Sequence, residues 1–406
     1  MRHTLLSCII LLAFSFANAQ YKYDNVKFKT VYLEDLCKTL QNNADFIILD
    51  VRSKGEHEDT STALNLNIGH LKNAINIDVR ELPNRLKELS AFQDKPVFVY
   101  CSHSQRSRRA SKMLSDSGFL NVFNINGGLS NLHLLENSLA SCSEVVMETN
   151  VPYKLISPQQ LSDNIRNKKS YFIVDVRRDS VFNSTTLLER EKAQGRFETA
   201  HSIPLDKLAG LLPGIPKGQR LLIVDEFGNE SPKAAKLLIE KGYKDVSVLF
   251  NGMEAWVQFQ SDMHQLPLSW LTQTNYRPIT AEGFDKLMRS EKEVIVIDVR
   301  NKDEFKNQSK DAWRNIGHLK NAINIPFTDL PVQVSSLPIS KTTPVVIYSF
   351  SGNNDIYQAA RVFSDAGYKN VNVLLGGVFN LRWKAANLKG KSQLKEWTVN
   401  IPEENL

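Results

Sequence analysis

The sequence predicts an α/β protein made of three tandem copies of one domain, each a mainly parallel sheet with helices on both faces. A short apolar run ending in Asp-Val-Arg occurs three times at nearly equal spacing, with its aspartates at Asp50, Asp175 and Asp298. Residues 67–77 recur without change at 315–325, and a weaker version occupies 199–205. Apolar runs alternate with amphipathic stretches in every copy, which is typical of buried parallel strands joined by helices. Periods this long indicate repeated domains rather than a solenoid.

The elements of the first copy follow from its hydrophobic pattern. Apolar runs predict strands at residues 46–51, 74–77, 97–100 and 122–125, and the apolar spacing predicts a helix over 32–40. Before the last strand, Ala110, Met113 and Leu114 share one helical face, and Gly118 is a typical helix stop. We therefore expect domains at residues 27–140, 153–262 and 278–388, linkers near 141–152 and 262–278, and a polar C-terminal tail at 389–406.

Composition and the N-terminus predict where the protein acts. Of 406 residues, 42% are hydrophobic and 23% charged, and the net charge of +6 is mild for this length. We expect no nucleic-acid partner, because the chain has no dense basic run. A basic start, a short apolar run and Ala17-Asn18-Ala19 predict a signal peptide at residues 1–19, so we expect an exported protein, periplasmic or secreted. The apolar run is too short for a stable membrane span.

The candidate reactive group is Cys101, which ends the predicted strand 97–100 and precedes a six-residue polar loop and a helix. Parallel sheets bind ligands beyond the carboxyl ends of their strands, and loop N–H groups with a helix N-terminus stabilise an anion there. The same position holds Asp225 in the second copy and Ser349 in the third. The loop arginine, Arg106, is replaced by Glu230 in the second copy and by Asn354 or Asp355 in the third. We therefore expect only the first copy to be catalytic.

Together these features resemble the rhodanese-like domains, a family of sulfurtransferases. The resemblance rests on the Asp-Val-Arg strand ends, the repeated Gly-His-Leu-Lys-Asn-Ala-Ile-Asn-Ile segment, the Cys-x4-Arg-Ser loop and the Gly127-Gly128 pair. It implies that Cys101 takes sulfur from thiosulfate or a similar anionic donor, becomes a persulfide and passes the sulfur to a thiol, cyanide or protein acceptor. It also implies that the substrate lies among the loop residues Ser102, His103, Ser104, Gln105, Arg106 and Ser107.

Within this resemblance, Arg106 would hold the donor anion, and neither a metal nor a cofactor is implied. Cysteine phosphatases place five residues between cysteine and arginine, whereas four separate Cys101 from Arg106, which favours sulfur over phosphorus. The departures from the family pattern are Ser104, where glycine is common, and the cysteines lost from the second and third copies. Because glycine adopts positive φ most easily, Ser104 leaves the loop geometry open.

Other polar residues have structural interpretations. His70 and His318 recur in an active and an inactive copy, so we expect structural roles for both. Glu56 and Glu304 are expected to form ion pairs with Arg52 and Arg300. A disulfide between Cys37 and Cys142 is open but not favoured, and a resolving role for Cys142 toward Cys101 is favoured still less.

Two other functions stay open at the level of sequence. The chain would be a scaffold if its degenerate copies present surfaces to a protein partner through the second and third domains. It would be a thiol-redox protein if Cys101 cycles in an oxidising compartment.

Overall fold

The computed structural model describes residues 26–43, 45–139, 142–261 and 270–402, with the side chains of 135–139 excepted. It confirms the predicted α/β class, because it contains three five-stranded, all-parallel sheets, one in each repeat. The predicted signal peptide at residues 1–19 lies outside the described residues. No helix in the described ranges is long and apolar enough to cross a membrane.

Among the described residues, the first domain has seven strands and five α-helices. Its strands are β1 Lys29–Val31, β2 Ile47–Asp50, β3 His70–Leu71, β4 Ile75–Asn76, β5 Pro96–Tyr100, β6 Asn121–Ile125 and β7 Met147–Glu148. Its helices are α1 Leu33–Gln41, α2 Lys54–His57, α3 Leu82–Arg85, α4 Gln105–Asp116 and α5 Gly128–Leu139. The order of the main sheet is β1-β6-β5-β2-β4, which puts β5 at its centre.

The second domain repeats this order as β8-β13-β12-β9-β11. Its strands are β8 Lys154–Ile156, β9 Phe172–Asp175, β10 Arg196–Phe197, β11 Ala200–Ser202, β12 Leu221–Val224, β13 Val246–Leu249 and β14 Trp270–Leu271. Its helices are α6 Pro158–Arg166, α7 Asp179–Phe182, α8 Glu189–Ala193, α9 Leu208–Leu211, α10 Ser231–Glu240 and α11 Gly252–Ser261.

The third domain has the order β15-β20-β19-β16-β18. Its strands are β15 Arg277–Ile279, β16 Ile295–Asp298, β17 His318–Leu319, β18 Ile323–Asn324, β19 Val345–Tyr348, β20 Val371–Leu374 and β21 Thr398–Val399. Its helices are α12 Ala281–Ser290, α13 Lys302–Phe305, α14 Leu330–Gln333, α15 Asn354–Asp365 and α16 Gly377–Asn387.

Each sheet is covered on both faces, so its central strand is apolar along nearly its whole length. In the first domain, Val97 and Val99 of β5 face one cluster of buried side chains, while Phe98 and Tyr100 face the other. Because side chains alternate along a strand, a continuous apolar run fills both layers. The two layers fix the carboxyl end of β5, and thus Cys101, at the middle of one sheet edge.

A small antiparallel ribbon closes each domain. The strand at the Gly-His segment pairs with the chain that follows the last helix, as β3 with β7, β10 with β14 and β17 with β21. In the third domain this places Leu394 and Trp397 of the polar C-terminal tail in the core. The tail therefore contributes buried apolar side chains to the third domain, which its polar composition did not predict.

The structure overturns the expectation that Cys37 and Cys142 are unpaired. A disulfide joins Cys37 on α1 to Cys142, just after α5, with Cα atoms 5.7 Å apart. The helical pattern placed Cys37 at the edge of the buried face but gave no position for Cys142, because the chain there has no periodicity. Cys101 is the free cysteine among the described residues.

Candidate active site

Cys101 follows β5 directly and is 1% exposed. The residues that follow turn sharply, and α4 begins at Gln105. The thiol therefore lies beneath a short loop at the N-terminus of a twelve-residue helix. The positive end of a helix stabilises negative charge at such a position.

The loop depends on a serine in the left-handed region. Ser104 has φ of +85°, the conformation that glycine adopts most easily. Its Oγ accepts a hydrogen bond of 2.5 Å from the Gly127 N–H, and its carbonyl accepts a bond of 3.1 Å from the Ser107 hydroxyl. These two contacts hold the backbone in a turn that would otherwise be costly for serine. Ser104 thus adopts the positive-φ turn that glycine usually forms, which answers the question of loop geometry that the sequence left open.

The Gly127-Gly128 pair brings α5 against the back of the loop. The Leu129 N–H donates to the Cys101 carbonyl at 2.9 Å, and the Ser130 N–H donates to the Ser102 carbonyl at 3.0 Å. Gly128 has φ of +63°, and a Cβ there would lie 2.4 Å from the Cys101 carbonyl oxygen. Only glycine permits this approach, so the pair fixes the backbone that carries the thiol.

Arg106 is bound by Glu56. Its two terminal nitrogens donate to the two carboxylate oxygens, each at 2.6 Å, and Nη2 also donates to Ser102 Oγ at 3.0 Å. Burial would raise the pKa of Glu56, but the Arg106 contact and the Ser53 hydrogen bonds outweigh it and hold the pKa below its ordinary value. The Arg106 charge is therefore already balanced within the protein.

The expected pairing of Glu56 with Arg52 is wrong. Arg52 donates to Asp50 through Nε at 3.0 Å and Nη2 at 2.7 Å, and Nη2 also reaches the Gly69 carbonyl. Burial would raise the pKa of Asp50, yet bonds from His57 and Arg52 lower it to about 2. The same aspartate–arginine pair recurs within the other two domains. It is a structural clamp on the Gly-His segment, because it occurs whether or not the loop carries a cysteine.

The remaining predicted site residues differ in their exposure to solvent. Ser102 and Ser107 are buried, whereas His103 and Gln105 are exposed at the rim of the loop. Partial loss of water around the imidazole and the nearby Arg106 charge lower the pKa of His103. Ser102, Ser104 and Ser107 are thus the buried polar residues of this segment, and His103 and Gln105 lie toward solvent.

The second domain reveals where the loop N–H groups point. Asp225, which replaces the cysteine, accepts hydrogen bonds from the backbone N–H groups of Gly228, Glu230 and Ser231 at 2.6, 2.6 and 2.8 Å. Three amide donors therefore converge on the side chain at this position. The loop is an anion cradle, and in the second domain its own carboxylate fills it.

The first domain has the same loop length, so its corresponding donors are the N–H groups of Ser104, Arg106 and Ser107. None of these three groups has a protein acceptor within the described residues. The atom that stands where the Asp225 carboxylate begins is the Cys101 sulfur. By correspondence with the second domain, Cys101 is the residue on which these three N–H groups are expected to converge.

In the third domain, aromatic side chains pack beside the loop. Phe350 follows Ser349 and packs edge-on against Trp313 at 5.1 Å and face-on against Phe379 at 5.5 Å. Glu304, the counterpart of Glu56, pairs with Arg314, so the expected pairing of Glu304 with Arg300 is wrong. In the first and third domains, the glutamate of the short helix after the Asp-Val-Arg strand therefore pairs with an arginine outside the Asp-Val-Arg motif.

Sequence reasoning missed Glu56 as a site residue. A signal was present, since Glu56 follows the capping residue Ser53 at the capping-box spacing, which fixes its carboxylate near a helix N-terminus. The partner across the loop, Arg106, has no sequence relation to it. Possible metal ligands come together in the described ranges only at Cys37, Cys142 and Glu144, where both sulfurs are in the disulfide.

Comparison with known proteins agrees with the repeat structure. The sequence model of one family, the rhodanese-like domain, matches residues 33–134, 157–259 and 280–385. The chain is 34% identical over 95 residues to the tRNA uridine(34) hydroxylase of Cytophaga hutchinsonii, covering 23% of this chain and 28% of that protein. The chain thus spans little more than a quarter of that relative's length.

Two solved structures resemble the chain over most of its length. A thiosulfate sulfurtransferase from Pseudomonas aeruginosa is 16% identical, with a TM-score of 0.23, covering 92% of this chain and 69% of that one. The anaerobic ergothioneine biosynthesis enzyme from Chlorobium limicola is 13% identical, with a TM-score of 0.28, covering 92% of this chain and 100% of that one.

Proposed function

Because the chain belongs to the rhodanese-like domain family, in three tandem copies, we propose that it is a sulfurtransferase that carries sulfane sulfur on Cys101. The observation that carries this proposal is the anion cradle. Asp225 marks the point where three loop N–H groups converge, and Cys101 occupies that point in the first domain with the same donors open. A thiolate, a persulfide and an incoming anionic donor all benefit from such donors.

The chemistry needs two displacements. The Cys101 thiolate attacks the outer sulfur of thiosulfate or a similar donor, an S–S bond forms, and the bond to the sulfite sulfur breaks as sulfite leaves with the electron pair. A nucleophile such as cyanide or a thiolate then attacks the terminal sulfur and releases the Cys101 thiolate. The loop donors stabilise the anionic sulfur before and after each step.

The contribution of Arg106 to donor binding depends on its ion pair with Glu56. With both terminal nitrogens on Glu56, its net charge attracts an anion only weakly. We propose that the backbone N–H groups bind the donor first and that Arg106 adds charge when the donor competes with Glu56. Its predicted substrate contact stays a proposal on this basis.

Export belongs to the same proposal. The predicted signal peptide at residues 1–19 supports it, and the Cys37–Cys142 disulfide suits an oxidising compartment. N-terminal sequencing of the protein from fractionated cells is expected to begin at Gln20. A cytoplasmic chain that begins at Met1 would refute export.

A thiol-redox role is less well supported. It needs a second cysteine to resolve an oxidised Cys101, and Cys37 and Cys142 are paired with each other. A scaffold role has one favourable observation, since Asp225 closes the cradle of the second domain with its own carboxylate. That observation concerns the second domain and leaves the first available for catalysis.

The test is turnover of thiosulfate and cyanide by the purified protein, followed as thiocyanate. We expect turnover in the parent protein and none with Cys101→Ser, while Asp225→Asn and Ser349→Ala retain it. Absence of turnover with a reduced Cys101, or turnover that survives Cys101→Ser, would reject sulfur transfer from thiosulfate at this site.

A further inference from the structure

Each domain is contacted by a neighbour close to its loop. In the second domain, Phe250 precedes the Asn251-Gly252 turn and packs in the core of the first domain, with its ring 5.0 Å from that of His133. In the third domain, Tyr357 on α15 shares a buried cluster with Ala193 of the second. Phe250 and Tyr357 both lie in buried apolar clusters, and both belong to domains that lack the cysteine.

The corresponding positions in the first domain are polar. They are Arg108, on α4, and Asn126, directly before Gly127, and both are buried. Asn126 Nδ2 donates to the Asn387 carbonyl at 2.8 Å, and Arg108 Nη2 donates to the Ala386 carbonyl at 3.3 Å. Arg108 Nη2 also donates to Asn126 Oδ1 at 3.0 Å. The active domain is therefore joined to the third domain by directional hydrogen bonds.

The acceptors lie at the very end of α16, which closes at Asn387. The last carbonyls of a helix have no donor within the helix and carry partial negative charge. A guanidinium and an amide from the first domain satisfy two of them. The contact thus caps the last helix of the third domain with side chains that flank the Cys101 loop.

The backbones of Arg108 and Asn126 adjoin the backbone that shapes the anion cradle. Asn126 precedes Gly127, whose N–H binds Ser104 Oγ, and the Arg108 N–H donates to the Ser104 carbonyl at 2.9 Å. Displacing either side chain would move the partners of Ser104, and with them the positive-φ turn that aims the loop N–H groups.

We propose that the end of α16 is a positioning element for Cys101: the third domain holds Arg108 and Asn126 and so sets the loop that stabilises the thiolate. Arg108 and Asn126 are positioning residues, since they act through Ser104 and Gly127. This inference deepens the proposed function and rests on Cys101 as the working thiol. It gives the cysteine-free third domain a task in the first domain's site.

The test uses the full mature chain with Asn126→Ala and Arg108→Met. The pH midpoint of Cys101 alkylation by iodoacetamide reports thiolate stabilisation, and it requires no sulfur transfer. Hydrogen exchange of the segment 380–388, which excludes the control position, reports capping of α16. Lys389→Ala is the matched control, because it breaks the exposed Lys389–Asp35 pair between the same two domains without touching the loop.

We expect both positioning variants to raise the alkylation midpoint by about half a pH unit, a shift consistent with one weakened hydrogen bond, and to speed exchange at 380–388. Lys389→Ala is expected to change neither. Faster exchange with an unchanged midpoint would reduce the contact to a structural one and overturn the proposal. A shifted midpoint with unchanged exchange would confine the effect to the first domain and overturn it as well. Failure of sulfur transfer alone would leave both readouts intact and would count against the proposed function only.

Discussion

At the scale of single residues, Glu56 controls the loop arginine. Its side chain is nearly buried, whereas that of Arg106 is 35% exposed. We expect Glu56→Gln to lower the free energy of unfolding at pH 7 by about 1–2 kcal/mol, a loss of paired charge discounted for solvent at Arg106. Denaturant unfolding at pH 7 measures this difference.

The pH dependence of that loss has a definite sign. The folded pKa of Glu56 lies below its ordinary value of 4.5, so its stabilisation is complete above that value and disappears as pH falls through the folded pKa. The parent and Glu56→Gln should therefore converge in stability only when the pH has fallen below the folded pKa of Glu56. Glu58→Gln, at an exposed pair with Lys54, serves as control. A constant difference across this range would contradict the ion pair.

Ser104 offers a second prediction, in which strain and hydrogen bonding are separated. Ser104→Ala keeps the positive φ but removes the acceptor of the Gly127 N–H, and we expect a loss of about 1–3 kcal/mol. Ser104→Gly removes the same acceptor but relieves the strain, so its loss should be smaller. Thermal unfolding of the pair measures both effects, and equal losses would contradict strain at this position.

Sequence predicted much of the chemistry at this scale but not the pairing of charges. Cys101 and the Gly127-Gly128 pair were predictable because neighbouring residues define a loop and a turn. The Glu56–Arg106 pair was not, because it joins residues from two different strand–helix connections. The hydrogen bond that lets Ser104 replace glycine was equally unpredictable, because its donor, the Gly127 N–H, belongs to a turn distant in sequence.

At the scale of elements, the loop of the second domain is stabilised by its own carboxylate. Asp225 is 1% exposed and accepts three backbone N–H groups. We expect Asp225→Ala to cost about 2–4 kcal/mol, because three buried donors lose a charged acceptor. Hydrogen exchange of the segment 225–232 measures the opening.

The control for Asp225 is Asp206→Ala, an exposed aspartate of the same domain, which should change stability by less than about 0.5 kcal/mol. Equal effects of the two substitutions would remove the evidence for converging amides. The long apolar strands around this loop were predictable from periodicity. The two-residue ribbons such as β3 with β7 were not, because two residues carry no periodic pattern.

At the scale of the whole molecule, the Cys37–Cys142 disulfide ties α1 to the linker between the first two domains, across 105 residues. Removing it with Cys37→Ser and Cys142→Ser together should destabilise the first domain by about 2–4 kcal/mol, chiefly by freeing its unfolded chain. Calorimetry of the double variant measures the loss. Thiocyanate formation should be unchanged, because neither cysteine reacts with Cys101; a loss of turnover in the folded variant would contradict this.

The three-domain plan was predictable from the repeats, but the contacts between domains were not. Arg108 and Asn126 differ from their apolar counterparts Pro232 and Phe250 in the second domain, yet nothing local indicates that Asn387 lies opposite them. The tail that carries Trp397 into the third core was hidden by its polar composition. Such contacts depend on how complete domains meet, which periodicity does not describe.

The central claim is that Cys101 of the first domain carries sulfane sulfur. The most direct measurement is the mass of the peptide that contains Cys101, after the full mature chain is incubated with thiosulfate and separated without reductant. We expect this peptide to gain one sulfur atom, to lose it on treatment with cyanide, and to gain none in Cys101→Ser. An unmodified Cys101 peptide from folded protein with a free thiol, or a sulfur found on another residue, would contradict the account.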